Sequence, residues 1–457
     1  PLNFCITDEA DAYVTVLGGS LVLKGKEVRI PLAKWRGLLT ASRGGAVSVA
    51  VYEKHGRGWT SAEPFNIYID DSEIDPYLTY RLIEPSYQAS GKMGLFAYDI
   101  ENCEETPIVT VSKQYSIHDD RNQMCVNCHH TQKKKDGISM FYYRGKTGGL
   151  IVTNGKEVKK VNTRVGDLSY GTSYSSIHPT KPYIAMSSAL TRQMFHLIGT
   201  RKLDVFDWAS DLVLYDFEKN SITNIIRTKD KQESFPEWSI DGKSLYYVST
   251  DTVFKFENYQ DMKYELMQID FDEATKSWSN SRKILSFSDK DSSVTMPKIS
   301  PDGRYLAITR SKFGVSTQTN QTADLILMDL QDGNKLIDTR KVNSEEADSY
   351  HSWSSNSKWI VLASRRGNGN YMRLYLFHVG DNGELSSPFV VPRTNPLYYH
   401  YFLKSYNVPE LVTSLPKPSE CEYEKMMLDV VAKDANFDSK IDSLVDGQSS
   451  ASQIVKP

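Results

Sequence analysis

The sharpest chemical signal in the sequence is Cys125-Val126-Asn127-Cys128-His129. A c-type haem needs two thiols that add to its vinyl groups and a histidine directly after the second cysteine to ligate iron. On that reading Cys125 and Cys128 carry a covalent haem c and His129 is its proximal metal ligand. A sixth ligand would come from His196, in an inserted stretch at 190–208, or from His178. Phe141, Tyr143 and Phe195 would supply an apolar wall. The same residues admit other chemistry. The two cysteines could form a local disulfide or stay a free dithiol. They could be half of a zinc site, with His129 or His130 and two remote ligands, or they could have structural value only. A second Cys-x-x-Cys pair, which would make zinc a strong reading, is absent. The five cysteines (Cys5, Cys103, Cys125, Cys128, Cys421) are too few for a disulfide scaffold and odd in number.

Other reaction centres are missing. No Gly-x-Ser-x-Gly elbow occurs, so a propeller-capped serine peptidase would lack its catalytic half. The sialidase box needs one residue between Asp and Gly, and Asp241-Gly242 and Asp302-Gly303 are adjacent. No phosphate-binding glycine loop stands out. Asp434-x-Asn436-x-Asp438 opens like a calcium-binding loop, but Ser439 and Val445 stand where Gly and an acidic residue are needed.

The elements that must hold the cysteine motif repeat along the chain. Phe235-Pro236-Glu237-Trp238-Ser239-Ile240-Asp241-Gly242-Lys243 is followed by the apolar run Leu245–Val248. Met296-Pro297-Lys298-Ile299-Ser300-Pro301-Asp302-Gly303-Arg304 is followed by Leu306–Ile308. Tyr350–Lys358 and, more divergently, Tyr174–Pro179 repeat the pattern. Each block reads as strand, tight turn, strand, with Asp-Gly supplying the positive φ of the turn. A second element recurs six times, starting at residues 94, 149, 211, 265, 324 and 373. Together these give four strands per unit, and six such units predict a β-propeller. An open array of hairpins would leave its sheet edges exposed. The shared register places Trp238, Ile299, Trp353 and Ile177 at equivalent buried positions. It also puts the cysteine motif on the inner strand of the second blade, with at least one face reachable from solvent or the central funnel.

The Ser-Pro-Asp-Gly-Arg block resembles the PD40 (WD40-like) repeat of TolB-like propellers, over roughly residues 75–392. The segment around the cysteines is similar to a subgroup of exported bacterial TolB-like proteins. In these, Cys-x-Asn-Cys-His lies in an early blade behind a Tyr-Arg-Leu-Ile-Glu-Pro segment, here Tyr80 to Pro85. The resemblance implies an all-β, six-bladed TolB-like propeller in a periplasmic or outer-membrane-anchored (lipoprotein) setting.

Residues 1–74 alternate apolar and polar positions over Ala12–Leu17, Ser20–Leu23, Val28–Leu32, Val47–Tyr52 and Phe65–Ile69, with glycine turns between. They read as a small β-sandwich-like domain, a cap in preference to a binding module. Residues 75–392 are the propeller. Residues 393–457 read as a C-terminal extension with a short helix near Glu422–Val431 and a disordered end from 447.

The 54 basic and 57 acidic side chains nearly cancel, to a formal charge of −3. This gives no reason to expect a nucleic-acid partner. The run Lys133-Lys134-Lys135 reads as a solvated loop. No stretch approaches the roughly 18 apolar residues of a membrane span. The chain opens on Pro1 rather than Met, the expectation for a trimmed or mature form. Two functions of different class follow. One is a non-catalytic extracytoplasmic propeller that carries haem c for electron transfer or redox sensing. The other is a scaffold whose funnel binds a protein or glycan partner, with the cysteines structural. A propeller hydrolase is the least favoured.

Overall fold

The computed structural model describes residues 1–84, 93–111, 125–134, 136–145, 148–199, 201, 203–252, 255–279, 281–438 and 444–445. Pro85, Lys135, Ser439 and the segment from 447 lie outside these residues. The chain forms two compact units. One comprises Pro1–Ile74, Tyr98–Glu105 and Val390–Leu403, and the other the described residues of 75–97, 106–389 and 404–457.

In the first unit the strands Leu21–Lys24, Ala12–Leu17, Ala46–His55, Gly58–Ser61 and Phe65–Tyr68 form one antiparallel sheet. Val47, Val49 and Val51 point to one face, as strand alternation requires. Helix α1 (Leu32–Ala41) packs there through the buried Trp35. The expected sandwich is therefore corrected to a sheet covered by a helix. The reason is local: Trp35, Leu38 and Leu39 fall at helical spacing, and Pro31 stands directly before the first turn of the helix.

The second unit is built on six sheets with four or more strands each, antiparallel except where Lys433–Asp434, Asn436–Phe437 and Leu444–Val445 add parallel outer strands to two of them. Five begin on strands β1 (Cys125–Thr131), β2 (Thr172–Ile177), β3 (Lys231–Trp238), β4 (Ser293–Ile299) and β5 (Asp348–Trp353). In the remaining sheet the equivalent place is taken by β6 (Ser405–Val412), which pairs antiparallel with Tyr77–Ile83. The segments starting at 94, 149, 211, 265, 324 and 373 all lie in the third strand of a sheet. Strands β1 to β6 touch in sequence, and β6 touches β1, so the six first strands close a ring. This is a β-propeller. Residues 393–457 are thus not merely an extension, because β6 completes the sheet that starts the fold. Further on, helix α2 (Glu420–Leu428) is capped by Ser419 and Glu422 in a capping box. Its Tyr423 meets Phe141 edge-on, ring centroids 5.1 Å apart.

The six first strands share one irregularity. Each carries a β-bulge, and each bulge contains one non-glycine residue with positive φ: Cys128, Tyr174, Phe235, Met296, Tyr350 and Val408, between +41° and +57°. A bulge re-aims the side chains that follow it. Such backbone costs of order 1–3 kcal/mol per residue and persists where its surroundings over-determine it. Three of the bulges have proline next (Pro236, Pro297, Pro409), where the ladder no longer needs an N–H.

Candidate functional site in the propeller axis

The bulges turn their residues into a shared cavity of about 340 Å³. Cys125, Cys128, His129 and His130 form its wall on β1. The apolar part comes from other strands: Tyr174 and Phe235 stack at 3.9 Å between ring centroids, with Met296 and Tyr350 nearby. The wall expected from Phe141, Tyr143 and Phe195 is not used. Phe141 and Tyr143 are buried in a core cluster with Tyr423, and Phe195 is half exposed outside the cavity. Both faces of this second strand pack into core clusters, Phe141 and Tyr143 on one side and Met140 and Tyr142 on the other, so none of them reaches the cavity.

Two residues after each positive-φ position stands a polar side chain, His130, Ser176, Glu237, Lys298, Ser352 and Glu410, that bonds to a different sheet. Glu410 on β6 receives the Thr131 amide at 3.1 Å and pairs with His130 Nδ1 at 2.5 Å. Ser176 on β2 accepts the Trp238 amide at 3.1 Å. Glu237 on β3 accepts the Ile299 amide at 3.3 Å and pairs with Lys298 at 2.9 Å. Lys133 is not a solvated loop residue. Its ammonium donates to Ser352 Oγ and to the carbonyls of Trp353 and Leu411, and burial lowers its pKa.

Burial opposes ionisation of Glu410, but His130, by charge and hydrogen bond, then His129 and Lys298 outweigh it. The carboxyl ends at a pKa of about 2. Burial pushes the Cys128 thiol up. His129 and His351 are driven down to about 4, chiefly by burial, so both imidazoles are neutral at pH 7. None of their ring nitrogens makes a well-formed hydrogen bond. The main chain at Val408 for His129, and at Ala307 and Met296 for His351, opposes the shift without reversing it.

The structure brings Cys125, Cys128 and His129 together at the cavity and leaves the two expected sixth ligands elsewhere. His178 is a turn residue: Nδ1 accepts the amides of Thr180 and Lys181, at 3.1 and 3.0 Å, and Nε2 meets the Gly242 carbonyl at 3.2 Å. Its alignment with Ser239 and Ser300 holds, since all three amides bond back across the same hairpin. His196 pairs with Asp204 at 2.8 Å near the tip of the long hairpin Tyr183–Phe195/Leu203–Asp216. Neither lines the cavity. All five cysteines are free thiols. Among the described residues no three His, Cys, Asp or Glu side chains gather in metal-binding geometry. None of their helices is long and apolar enough to cross a membrane.

The cavity lining also includes Arg81, Arg144, His351 and Glu410, none of them among the expected site residues. A usable signal exists for the last. Val408-Pro409-Glu410-Leu411 repeats the apolar-Pro-charged-apolar order of Phe235-Pro236-Glu237-Trp238 and Met296-Pro297-Lys298-Ile299.

No family model matches the chain, and no curated protein matches it. Among solved structures it is similar to TolB from Acinetobacter baumannii, at 13% identity over 84% of this chain and 85% of that one, TM-score 0.45. A hypothetical selenium-binding protein from Sulfolobus tokodaii is similar at 9% identity over 77% of this chain and 96% of that one, TM-score 0.41. A putative 6-phosphogluconolactonase from Bacteroides uniformis is similar at 12% identity over 70% and 98%, TM-score 0.34.

Proposed function

We propose that this chain is a six-bladed propeller of the TolB-like kind, closed by Ser405–Val412, that works as a non-catalytic binding scaffold with its ligand seated in the axial cavity. The carrying observation is the convergence of all six bulged strands on one cavity within the ordinary volume range of ligand sites. The motif resemblance adds a periplasmic or outer-membrane-anchored setting. A thermal-shift screen of small metabolites and oligosaccharides, run on the parent chain and on Phe235→Ala, tests the reading. A ligand that stabilises the parent and fails on the variant supports it. If every stabilising compound acts equally on both, the cavity is not the binding site.

One observation favours a second reading, attached haem c. Two thiols and a neutral, buried imidazole without a well-formed hydrogen bond share one wall, and this donor set fits haem attachment. Haem would supply one-electron chemistry there, while His129 would orient it and the two thioethers would fix it. The cavity's volume lies at the lower end of ligand sites, so a porphyrin requires the wall around the motif to open. The chain made in a host with c-type haem maturation should keep haem through a denaturing gel. Cys125→Ala/Cys128→Ala should lose it with little change in melting temperature. Parent protein that emerges haem-free from such a host rules this reading out.

A further inference from the structure

The cavity has an unbalanced charge. Its lining holds four cations, Arg81, Lys133, Arg144 and Lys298, against two carboxylates, Glu237 and Glu410, a net +2 before any histidine is counted. Both carboxylates are already engaged, by Lys298 and by His130. Lys133 is held by main-chain carbonyls and Ser352. Two guanidinium groups remain. Arg81 is 5% exposed, and its Nε has no hydrogen-bond partner. Arg144 stands opposite Cys125 across the strand pair. Among the described residues no carboxylate reaches ion-pair distance of either arginine. Asp207 feels the charge of Arg144 only across a wider gap.

Arg81 is the buried one, and a buried cation without a counter-charge is costly, whereas Arg144 is exposed at the cavity wall. The guanidinium fork matches the two oxygens of a carboxylate or phosphate. Beside Arg81 and Arg144, the neutral imidazoles of His129 and His351 line the same space.

Resting on the reading of the axial cavity as the binding site, we propose that its ligand is a small organic anion, whose carboxylate or phosphate group is clamped by Arg81 and Arg144. The remainder of the ligand lies against the Tyr174–Phe235 stack. Cys125 and Cys128 line the same wall, so a bound anion shields them from reagents.

The test follows alkylation of Cys125 and Cys128 by iodoacetamide, resolved by peptide mass. The exposed Cys421 serves as the internal reference. Succinate, citrate and inorganic phosphate are compared with glucose and putrescine on the full chain. At least one anion should slow modification of Cys125 saturably, by tenfold or more, without protecting Cys421. The half-protecting concentration should rise at least tenfold in Arg81→Gln and in Arg144→Gln. Arg144 is the more solvent-accessible of the two, so its variant carries the test if Arg81→Gln does not fold by circular dichroism. Protection by glucose or putrescine but by no anion would overturn the anionic ligand and leave the cavity reading standing. Anion protection unchanged in a folded arginine variant overturns the clamp. If no probe protects and every variant reacts like the parent, both readings fall.

Discussion

Glu410→Ala should destabilise the propeller by about 3 kcal/mol at pH 7, the free energy corresponding to the depression of its carboxyl pKa from roughly 4.3 to about 2 on folding. The carboxylate holds two groups across the junction where the chain's late strand meets the second sheet, His130 Nδ1 and the Thr131 amide. Removing it strands both in the interior. The pH dependence identifies the mechanism. The folded carboxyl titrates near 2, below the roughly 4.3 of an unfolded glutamate. Its contribution is therefore complete above the unfolded value and is lost as pH falls towards 2. Urea unfolding of parent and variant should differ most at pH 6–7 and converge in acid. Glu410→Gln keeps an acceptor for the Thr131 amide and should fall between them. A gap between parent and alanine variant that stays constant down to pH 2.5 would show that packing, not charge, is responsible.

Trp238→Ala should cost about 3–5 kcal/mol, the range for deleting a large aromatic from a packed interior. The indole is 2% exposed. Its neighbours are His178, Phe271 and Trp278, with ring centroids 4.7 to 5.7 Å away. The equivalent Trp353 and Ile177 are also buried, whereas Ile299 is only partly so. Ile299→Ala should consequently cost clearly less than Trp238→Ala. Denaturant midpoints at constant slope would measure both. A Trp238→Ala loss below 1 kcal/mol would refute the shared register of the four positions.

The sequence carried the register well where local chemistry repeats. Asp241-Gly242 and Asp302-Gly303 mark the turns, and their glycines do adopt positive φ, +70° and +74°. At Gly242 a Cβ would strike the His178 ring at 2.2 Å. The cysteine motif is legible as a first strand because Met140–Tyr143 reads as its hairpin partner, and the two do pair. What remained hidden depends on long-range pairing. Ser405–Val412 has no Asp-Gly turn behind it, since its partner strand Tyr77–Ile83 lies at the other end of the propeller sequence. Arg81 looks like one polar residue in an apolar strand until that pairing puts it in the funnel. The histidine ligands failed for a different reason. Proximity in the repeat placed His178 near an inner strand, but the turn's own amides claimed its ring.

The same pairing has a consequence for biosynthesis. The ribosome releases Tyr77–Ile83 long before Ser405–Val412, so the earliest sheet waits with one hydrogen-bonding edge open while the other five are made. Contacts this distant in sequence form slowly, and an unpaired strand edge invites association with other chains. Nascent and newly released molecules should therefore pass through an open-ring state that depends on chaperone protection until the late strand docks. Its lifetime, rather than the stability of any single sheet, would govern the yield of native protein.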